Sequence, residues 1–216
     1  MSEPSLKSEG GYVRQAWLVI LLAVSYGAAL AGVETTLGPK IAENKRNETY
    51  DKIPNLVPGA DKSRTVEMLL EDADGNRRRV YQALGSDGSL RGWVLPAGGQ
   101  GFADRIELLI GLDAPAARIT GLYVLEQKET PGLGDYIAGP DFQSNFRDKP
   151  TAPPLEVVKG DPTASNEIPA LTGATISSEA VAAIANAAIA AVKEAIRKHA
   201  VSLQPPPRST KNRHNP

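Results

Sequence analysis

The hydrophobic positions of this chain form three patterns, and the first is an unbroken apolar run near the N-terminus. Residues 16–33 read AWLVILLAVSYGAALAGV and carry no charged side chain. A run of this length is at the lower end of what crosses the hydrocarbon core of a bilayer, and Trp17 suits the interface. We predict a transmembrane anchor, with a cleaved signal peptide as the alternative because Ala29-Leu30-Ala31 has the small-residue spacing of a cleavage site.

The second pattern is a series of short apolar stretches separated by turn residues, which predicts a strand meander with antiparallel pairing. The region before it, residues 34–62, is read as a linker helix region, in which a short helix over residues 36–52 is ended by Ile53-Pro54. The turns at 72–76 and 86–89 are rich in Asp, Asn, Ser and Gly, which favour turns. The predicted strands are residues 65–70, 79–84, 91–95, 106–112, 119–126 and, further along, 155–159.

The third pattern is an apolar repeat close to 3.6 residues, which predicts a long helix from Ser177 to His199. A short helix is expected at 141–146, and the proline-containing tail, residues 202–216, is expected to be disordered. Together the patterns predict an α+β protein: an N-terminal transmembrane helix, then one domain at 63–201 with a mostly antiparallel sheet flanked by helices. The repeat positions of the long helix are Val181, Ile184, Ala188, Val192 and Ile196.

Composition and charge narrow the chemistry that this domain can perform. The formal net charge is -1 at pH 7, so no nucleic-acid partner is expected. The chain has 0 cysteines and 2 histidines, which excludes thiolate metal sites, iron–sulfur clusters and a histidine-based catalytic triad within the domain. The Asp-rich turn at 72–76 lacks the glutamate that ends a calcium loop, so no metal site is predicted. Redox chemistry would therefore need an organic cofactor.

Residues 171–181, LTGATISSEAV, place a compact turn against the long helix. A helix that begins just after Thr175 leaves backbone N–H groups unpaired at its positive end, where an anion is stabilised. Gly173 lets the backbone bend, and Ala174 keeps the neighbouring side chain small. The residues leave two alternatives open, a helix-capping hydroxyl or an anion site. The hydroxyls available for either role belong to Thr172, Thr175, Ser177 and Ser178.

A second segment with candidate chemistry is ETPGLGD, residues 129–135, which follows the last strand of the meander. Its proline and glycines predict a rigid, tightly bent loop. The Glu129 carboxylate, the Thr130 hydroxyl and exposed backbone amides could line a polar ring-shaped ligand, and a plain connecting loop is the alternative. The earlier glycines at 98–101 lack the spacing of a dinucleotide fingerprint and indicate a tight turn or a close backbone approach.

The pair ETPGLGD and LTGATISSEAV, with the single N-terminal span and the stretch GQGFADRIELLIGLD, resembles the flavin-binding domain of two related proteins. These are the G subunit of the Rnf electron transport complex and the C subunit of the sodium-translocating NADH:quinone reductase. The resemblance implies FMN attached by a phosphoester to Thr175. It also implies ligand contacts from the neighbouring motif residues, namely Thr172, Gly173, Ala174, Ser177, Ser178, Glu129, Thr130, Gly132 and Leu133. Lys159 is added as a candidate partner on charge grounds.

For this chain the resemblance implies an electron relay in an Rnf-type ion-translocating ferredoxin:NAD oxidoreductase. The expected location is the inner membrane, with residues 1–15 cytoplasmic and the C-terminal domain periplasmic. The expected partners are the other membrane subunits and a flavin transferase. Alternatives are the C subunit of the quinone reductase, another FMN-binding redox protein, or a cofactor-free membrane-tethered assembly module. The family usually has an acidic residue six positions before the modified threonine, where this chain has Pro169, with Glu167 two places earlier.

Overall fold

The computed structural model describes residues 10–72 and 75–203. Residues 1–9 of the expected cytoplasmic segment and residues 204–216 of the expected tail lie outside this range. Two short 3-10 helices, Lys62–Arg64 and Gly134–Ala138, supplement the main elements. In chain order these are α1 (Gly10–Leu56), β1 (Val66–Glu71), β2 (Arg77–Leu84), β3 (Leu90–Gln100), β4 (Arg105–Asp113), β5 (Ile119–Glu126), α2 (Pro140–Ser144), β6 (Glu156–Val158), β7 (Glu167–Pro169) and α3 (Thr175–Leu203).

The chain divides into two compact units, and the first, ending at Asn47, is helical wherever it is described. Its most apolar window is not buried at all, and its large apolar side chains from Trp17 to Ile41 are exposed. An exposed apolar helix of this length is suited to crossing a bilayer. Helix α3 is also long and apolar, but 44% of its apolar window is buried, as befits a core helix.

The second unit begins at Glu48, earlier than the domain boundary at residue 63 expected from the sequence. Helix α1 does not end at Ile53-Pro54 but continues to Leu56, so its last turns belong to the folded domain. Pro54 removes one helical hydrogen bond. Burial of the adjacent Ile53, Leu56 and Val57 against the sheet offsets that loss, which local sequence rules cannot anticipate.

The five-stranded sheet has the order β1-β2-β3-β4-β5 with every neighbour antiparallel, so the predicted meander is confirmed. Strand β3 is longer than predicted because Gly98, Gly99 and Gln100 pair with the start of β4. A Cβ atom on Gly99 would lie 2.6 Å from Ile184 Cγ1, so glycine there permits close packing of α3 on the strand. The predicted strand at 155–159 is confirmed as β6, and it pairs in parallel with β7, where no strand was predicted.

Alternate residues of the central strands face opposite sides of the sheet, as the pleat requires. Trp93 and Leu95 of β3 join the larger core, which α3 completes on one face. Val94 between them joins a smaller core with the end of α1 on the other face. The sheet is therefore covered on both sides. The α3 residues buried in the larger core are Val181, Ala182, Ile184, Ala185, Ile189, Val192 and Ile196.

The contact between α1 and the sheet depends on a paired glycine position. Gly111 of β4 lies opposite Gly121 of β5, and Thr120 Oγ1 donates a 2.6 Å hydrogen bond to the carbonyl oxygen of Leu56. A Cβ atom on Gly111 would lie 2.5 Å from that carbonyl oxygen, closer than real Cβ contacts allow. Backbone cannot yield as a flexible side chain can, so only glycine is accommodated.

We expect Gly111→Ala to lower the free energy of unfolding by about 1–3 kcal/mol, since overpacking forces the backbone to shift. Thermal or urea unfolding of the detergent-solubilised chain measures it. Gly38→Ala is the matched control because a Cβ atom there meets nothing within 4 Å. Equal stability of the two variants would contradict this account of the packing.

A second prediction concerns Tyr123, whose hydroxyl donates a 2.8 Å hydrogen bond to Glu48 Oε1. Burial, with that hydrogen bond, raises the pKa of Tyr123 above its usual value of 10.0. The unfolded chain then loses this proton at a lower pH than the folded one, so stability falls as pH rises above about 10. We expect a shallower alkaline fall in Tyr123→Phe than in the unsubstituted chain, measured by urea unfolding at stepped pH. If the free energy of unfolding fell equally steeply with pH in both proteins, the prediction for Tyr123 would be contradicted.

Candidate functional site

The start of α3 has an unusual cap. The N–H of Ser178 donates to the carbonyl oxygen of Ala174 at 3.0 Å, which is the first helical hydrogen bond and makes Ala174 the capping residue. Alanine has no side-chain acceptor, so the N–H groups of Thr175, Ile176 and Ser177 have no acceptor among the described residues. The sequence left open whether Thr175 is a capping hydroxyl. The structure makes it the first residue inside the helix instead.

The turn that leads into α3 is stabilised by hydrogen bonds among its own residues and Ser178. Gly173 has a φ of 79°, a backbone conformation that favours glycine. The Ser178 hydroxyl donates to the carbonyl oxygen of Ala174 at 2.9 Å and accepts from the N–H of Leu171 at 3.1 Å. Ser178 is 0% exposed, so its hydroxyl shapes the turn and does not face a ligand. Of the four hydroxyls available for capping or anion binding, that of Ser178 is therefore used within the turn.

The loop at 129–135 comes against this turn. Gly132 has a φ of 76°, and the N–H groups of Leu133 and Asp135 both donate to the carbonyl oxygen of Thr130, at 3.2 and 3.3 Å. The resulting tight bend presents Leu133 to the turn before α3, where a Cβ atom on Gly173 would lie 3.0 Å from Leu133 Cδ2. The two motifs that carry the resemblance are therefore neighbours in space.

Glu129, the first residue of the loop at 129–135, is buried, with 4% of its surface exposed. Its Oε2 accepts a 2.6 Å hydrogen bond from the Ser177 hydroxyl, and its Oε1 accepts one of 3.2 Å from the N–H of Ala103. A carboxylate this deeply buried is tolerated only when its oxygens are hydrogen-bonded. Glu129 is thus committed to the protein interior, and it is not among the residues that line the cleft.

A cleft of about 310 Å³ opens between the two motifs. The helix start, with its open N–H groups, forms one wall, and Thr175 lies there partly buried. Three large apolar side chains at the cleft stay exposed: Phe102 at 61%, Leu133 at 46% and Ile176 at 56%. The cleft thus joins an anion-stabilising end to an apolar rim. Its lining residues are Phe102, Thr130, Leu133, Gly134, Gly173, Ala174, Thr175, Ile176 and Ser177.

The predicted site residues fall into two groups. Thr175, Ser177, Thr130, Leu133, Gly173 and Ala174 line the cleft, whereas Thr172, Lys159, Gly132, Glu129 and Ser178 do not. Thr172 and Lys159 are exposed, and no hydrogen bond ties either to a cleft residue. Sequence reasoning missed Phe102 and Ile176. The glycines of the stretch GQGF were a sequence signal for a turn at Phe102. In the structure the N–H of Gly101 donates to the carbonyl oxygen of Asp104, which closes a turn that exposes Phe102.

Within residues 10–72 and 75–203, no three acidic or histidine side chains cluster as metal ligands would. Glu167 lies two places before Pro169, which stands where the family motif has an acidic residue. Its Oε2 accepts hydrogen bonds from the N–H groups of Thr163 and Ala164, at 2.6 and 3.0 Å. The hydrogen bond from the N–H of Thr163 is the main cause that lowers the pKa of Glu167. Through these bonds the carboxylate caps the turn that precedes it.

Comparison with known proteins agrees with this geometry. The model of the FMN-binding domain family matches residues 101–190, which include both motifs and Phe102. Crystal structures of NqrC from Shewanella oneidensis and of the C subunit of the Na(+)-translocating NADH-quinone reductase from Parabacteroides distasonis share the fold. Their TM-scores are 0.54 and 0.53 at 23% and 20% identity, covering 59% and 75% of this chain and 63% and 96% of theirs. The fold and the matched residues define an FMN-binding domain that follows an N-terminal apolar helix.

Relatives that align over a longer stretch of this chain identify the family. The G subunit of the ion-translocating oxidoreductase complex of Methanosarcina acetivorans is 31% identical over 168 residues, which cover 76% of this chain and 87% of that protein. The G subunit of the Na(+)-translocating ferredoxin:NAD(+) oxidoreductase complex of Acetobacterium woodii is 38% identical, covering 67% of this chain and 70% of that protein. The chain belongs to the family of G subunits of the Rnf-type ion-translocating oxidoreductase complexes.

The contact between the two motifs makes a prediction about their glycines. An alanine at position 132 must adopt a positive φ, but its Cβ atom would meet no atom within 4 Å. An alanine at position 173 must also adopt a positive φ, and its Cβ atom would in addition displace the Leu133 side chain. We expect Gly132→Ala to destabilise by about 1 kcal/mol and Gly173→Ala by more, since strain and crowding add. Urea unfolding of both variants measures the difference. If Gly132→Ala proved the more harmful, the contact with Leu133 would not be limiting.

Proposed function

We propose that this chain is a membrane-anchored flavoprotein subunit that carries FMN as a phosphoester on Thr175 and relays electrons within an Rnf-type ion-translocating ferredoxin:NAD oxidoreductase complex. The observation that carries the proposal is the helix start capped by Ala174, which leaves three N–H groups open beside the Thr175 hydroxyl. Such a helix start stabilises a phosphate by direct hydrogen bonds and by the helix dipole.

The lining of the cleft fits FMN, which has an anionic phosphate at one end and a flat, largely apolar ring at the other. The phosphate end corresponds to Thr175, Ile176 and Ser177, whose N–H groups are open. The ring end corresponds to the exposed apolar side chains of Phe102 and Leu133, which would gain burial when the ring covers them. FMN, when bound, supplies one-electron chemistry that the protein side chains lack.

Attachment requires the oxygen Oγ1 of Thr175 to attack the phosphorus of a flavin nucleotide whose phosphate carries a leaving group. One P–O bond forms to the threonine, the P–O bond to the leaving group breaks, and the hydroxyl proton is released. We assign this step to a separate flavin transferase. Because this chain has Pro169 at the position of the family's acidic residue, and Glu167 Oε2 accepts hydrogen bonds from the N–H groups of Thr163 and Ala164, we infer that the transferase reads the turn at 172–175 itself.

The proposed place of the protein is the inner membrane, with residues 16–33 as a single span and the domain on the periplasmic side. The exposed apolar face of α1 supports the span. Covalent attachment suits a periplasmic domain, since no pool of free FMN is at hand there to refill an emptied site. The proposed partners are the other membrane subunits of the complex. The two G subunits are covered to 87% and 70% of their length, and the C subunit of the Vibrio vulnificus quinone reductase only to 56%, which favours the Rnf-type assignment.

Thr175→Ala tests the attachment. The full chain is produced with export intact and with a flavin transferase, and intact mass is measured. We expect the unsubstituted chain to gain the mass of FMN less one water, and Thr175→Ala to gain none. Ser165→Ala is the matched control, since it removes an exposed hydroxyl that lies outside the turn and does not line the cleft. FMN-sized mass on Thr175→Ala, or none on the unsubstituted chain, would overturn the proposal.

A further inference from the structure

We propose that Glu129 is a positioning residue, which acts through the Ser177 hydroxyl to hold the first turn of α3 in the form that accepts flavin on Thr175. Glu129 itself does not reach the cleft, so its role is indirect. The part of this inference that concerns flavin rests on the proposed function. The part that concerns the order of the turn rests on contacts within the protein alone.

The carboxylate of Glu129 joins three separate segments. Oε2 accepts from the Ser177 hydroxyl in α3 at 2.6 Å, and Oε1 accepts from the N–H of Ala103, in the turn between β3 and β4, at 3.2 Å. Glu129 itself begins the loop that carries Thr130 and Leu133. Each of the three segments contributes a wall of the cleft, so one buried side chain sets the spacing of all of them.

Two glycines show how closely the protein surrounds this carboxylate. A Cβ atom on Gly101 would lie 2.3 Å from Glu129 Oε1. One on Gly134 would lie 2.8 Å from Ser177 Oγ and 3.0 Å from Glu129 Oε2. Neither position leaves room for a side chain, so the hydrogen bonds are confined to one geometry.

The choice of donor matters for the anion site. A carboxylate near the start of a helix commonly accepts from backbone N–H groups there, which would occupy the site that a phosphate needs. Glu129 accepts the side-chain hydroxyl of Ser177 instead, so the N–H groups of Thr175, Ile176 and Ser177 remain open. The arrangement orders the helix start without filling it.

Glutamine is the informative substitution at position 129. Its Oε1 can accept from the N–H of Ala103 while its Nε2 donates to Ser177 Oγ, so both hydrogen bonds survive without the charge. Alanine at 129 removes both bonds, and Ser177→Ala removes one. Glu179→Ala is the matched control, because it removes an exposed glutamate from the same helix.

The first measurement uses the full chain in detergent, produced without a flavin transferase, and follows amide hydrogen exchange. The reporter is the N–H of Ser178, which bonds to Ala174, together with the next turn of α3. We expect about tenfold faster exchange in Glu129→Ala and Ser177→Ala, the size expected for a lost hydrogen bond to a charged group. Glu129→Gln and Glu179→Ala should stay within about twofold of the unsubstituted chain.

The second measurement adds the flavin transferase and determines the fraction of folded chain that carries FMN, by intact mass. We expect Glu129→Ala and Ser177→Ala to be flavinylated several-fold more slowly, and Glu129→Gln to restore the unsubstituted rate. If Glu129→Ala fails to fold, Ser177→Ala and Glu129→Gln still decide the question.

Two results would overturn the inference. One is unchanged exchange and flavinylation in Ser177→Ala. The other is a Glu129→Gln variant as impaired as Glu129→Ala, which would make charge, and not hydrogen-bond geometry, the property that matters. If the unsubstituted chain takes up no FMN, the proposed function fails, while the exchange experiment still reports whether Glu129 orders the turn.

Discussion

The packing of the apolar face of α3 on the five-stranded sheet is the interaction on which the rest of the domain depends. Ile184 lies against Gly99, and Val181, Ile189 and Val192 continue the contact along the helix. Because a helix is rigid along its axis, this burial fixes the position of its first turn as well. The open N–H groups and Thr175 are thereby held beside the loop after β5, although neither is part of the hydrophobic core.

The site combines features that are individually unfavourable for stability. A helix that begins with an alanine cap forgoes the hydrogen bonds that serine or aspartate would supply. Glu129 is a carboxylate removed from water, which costs free energy until its bonds are made. Phe102, Leu133 and Ile176 expose apolar surface. The bonds of Glu129 are already made within the protein, whereas the open helix start and the exposed apolar side chains gain favourable contacts when a ligand with an anionic end and a flat apolar body fills the cleft, which is the physical reason that FMN suits it.

Much of the fold followed from the pattern of apolar residues, because period-2 and period-3.6 repeats are local properties of the chain. The five meander strands and α3 are predicted in this way. The end of α1 was placed too early at Pro54, since the burial that carries the helix past this proline comes from Gly111, Gly121 and Thr120, far along the sequence. Strand β7 was missed because it has only three residues, one of them Pro169, and depends on pairing with β6.

By itself, the sequence determined the class of the main elements, the absence of cysteine chemistry, and the two motifs whose joint presence resembles a flavin-binding family. It could not determine which hydroxyl caps α3, because cap geometry depends on where the first helical hydrogen bond forms. Tertiary structure made Ala174 the cap, buried Ser178 and Glu129, and turned Phe102 and Ile176 toward the cleft. These assignments depend on contacts between segments far apart in the chain, which no local pattern encodes.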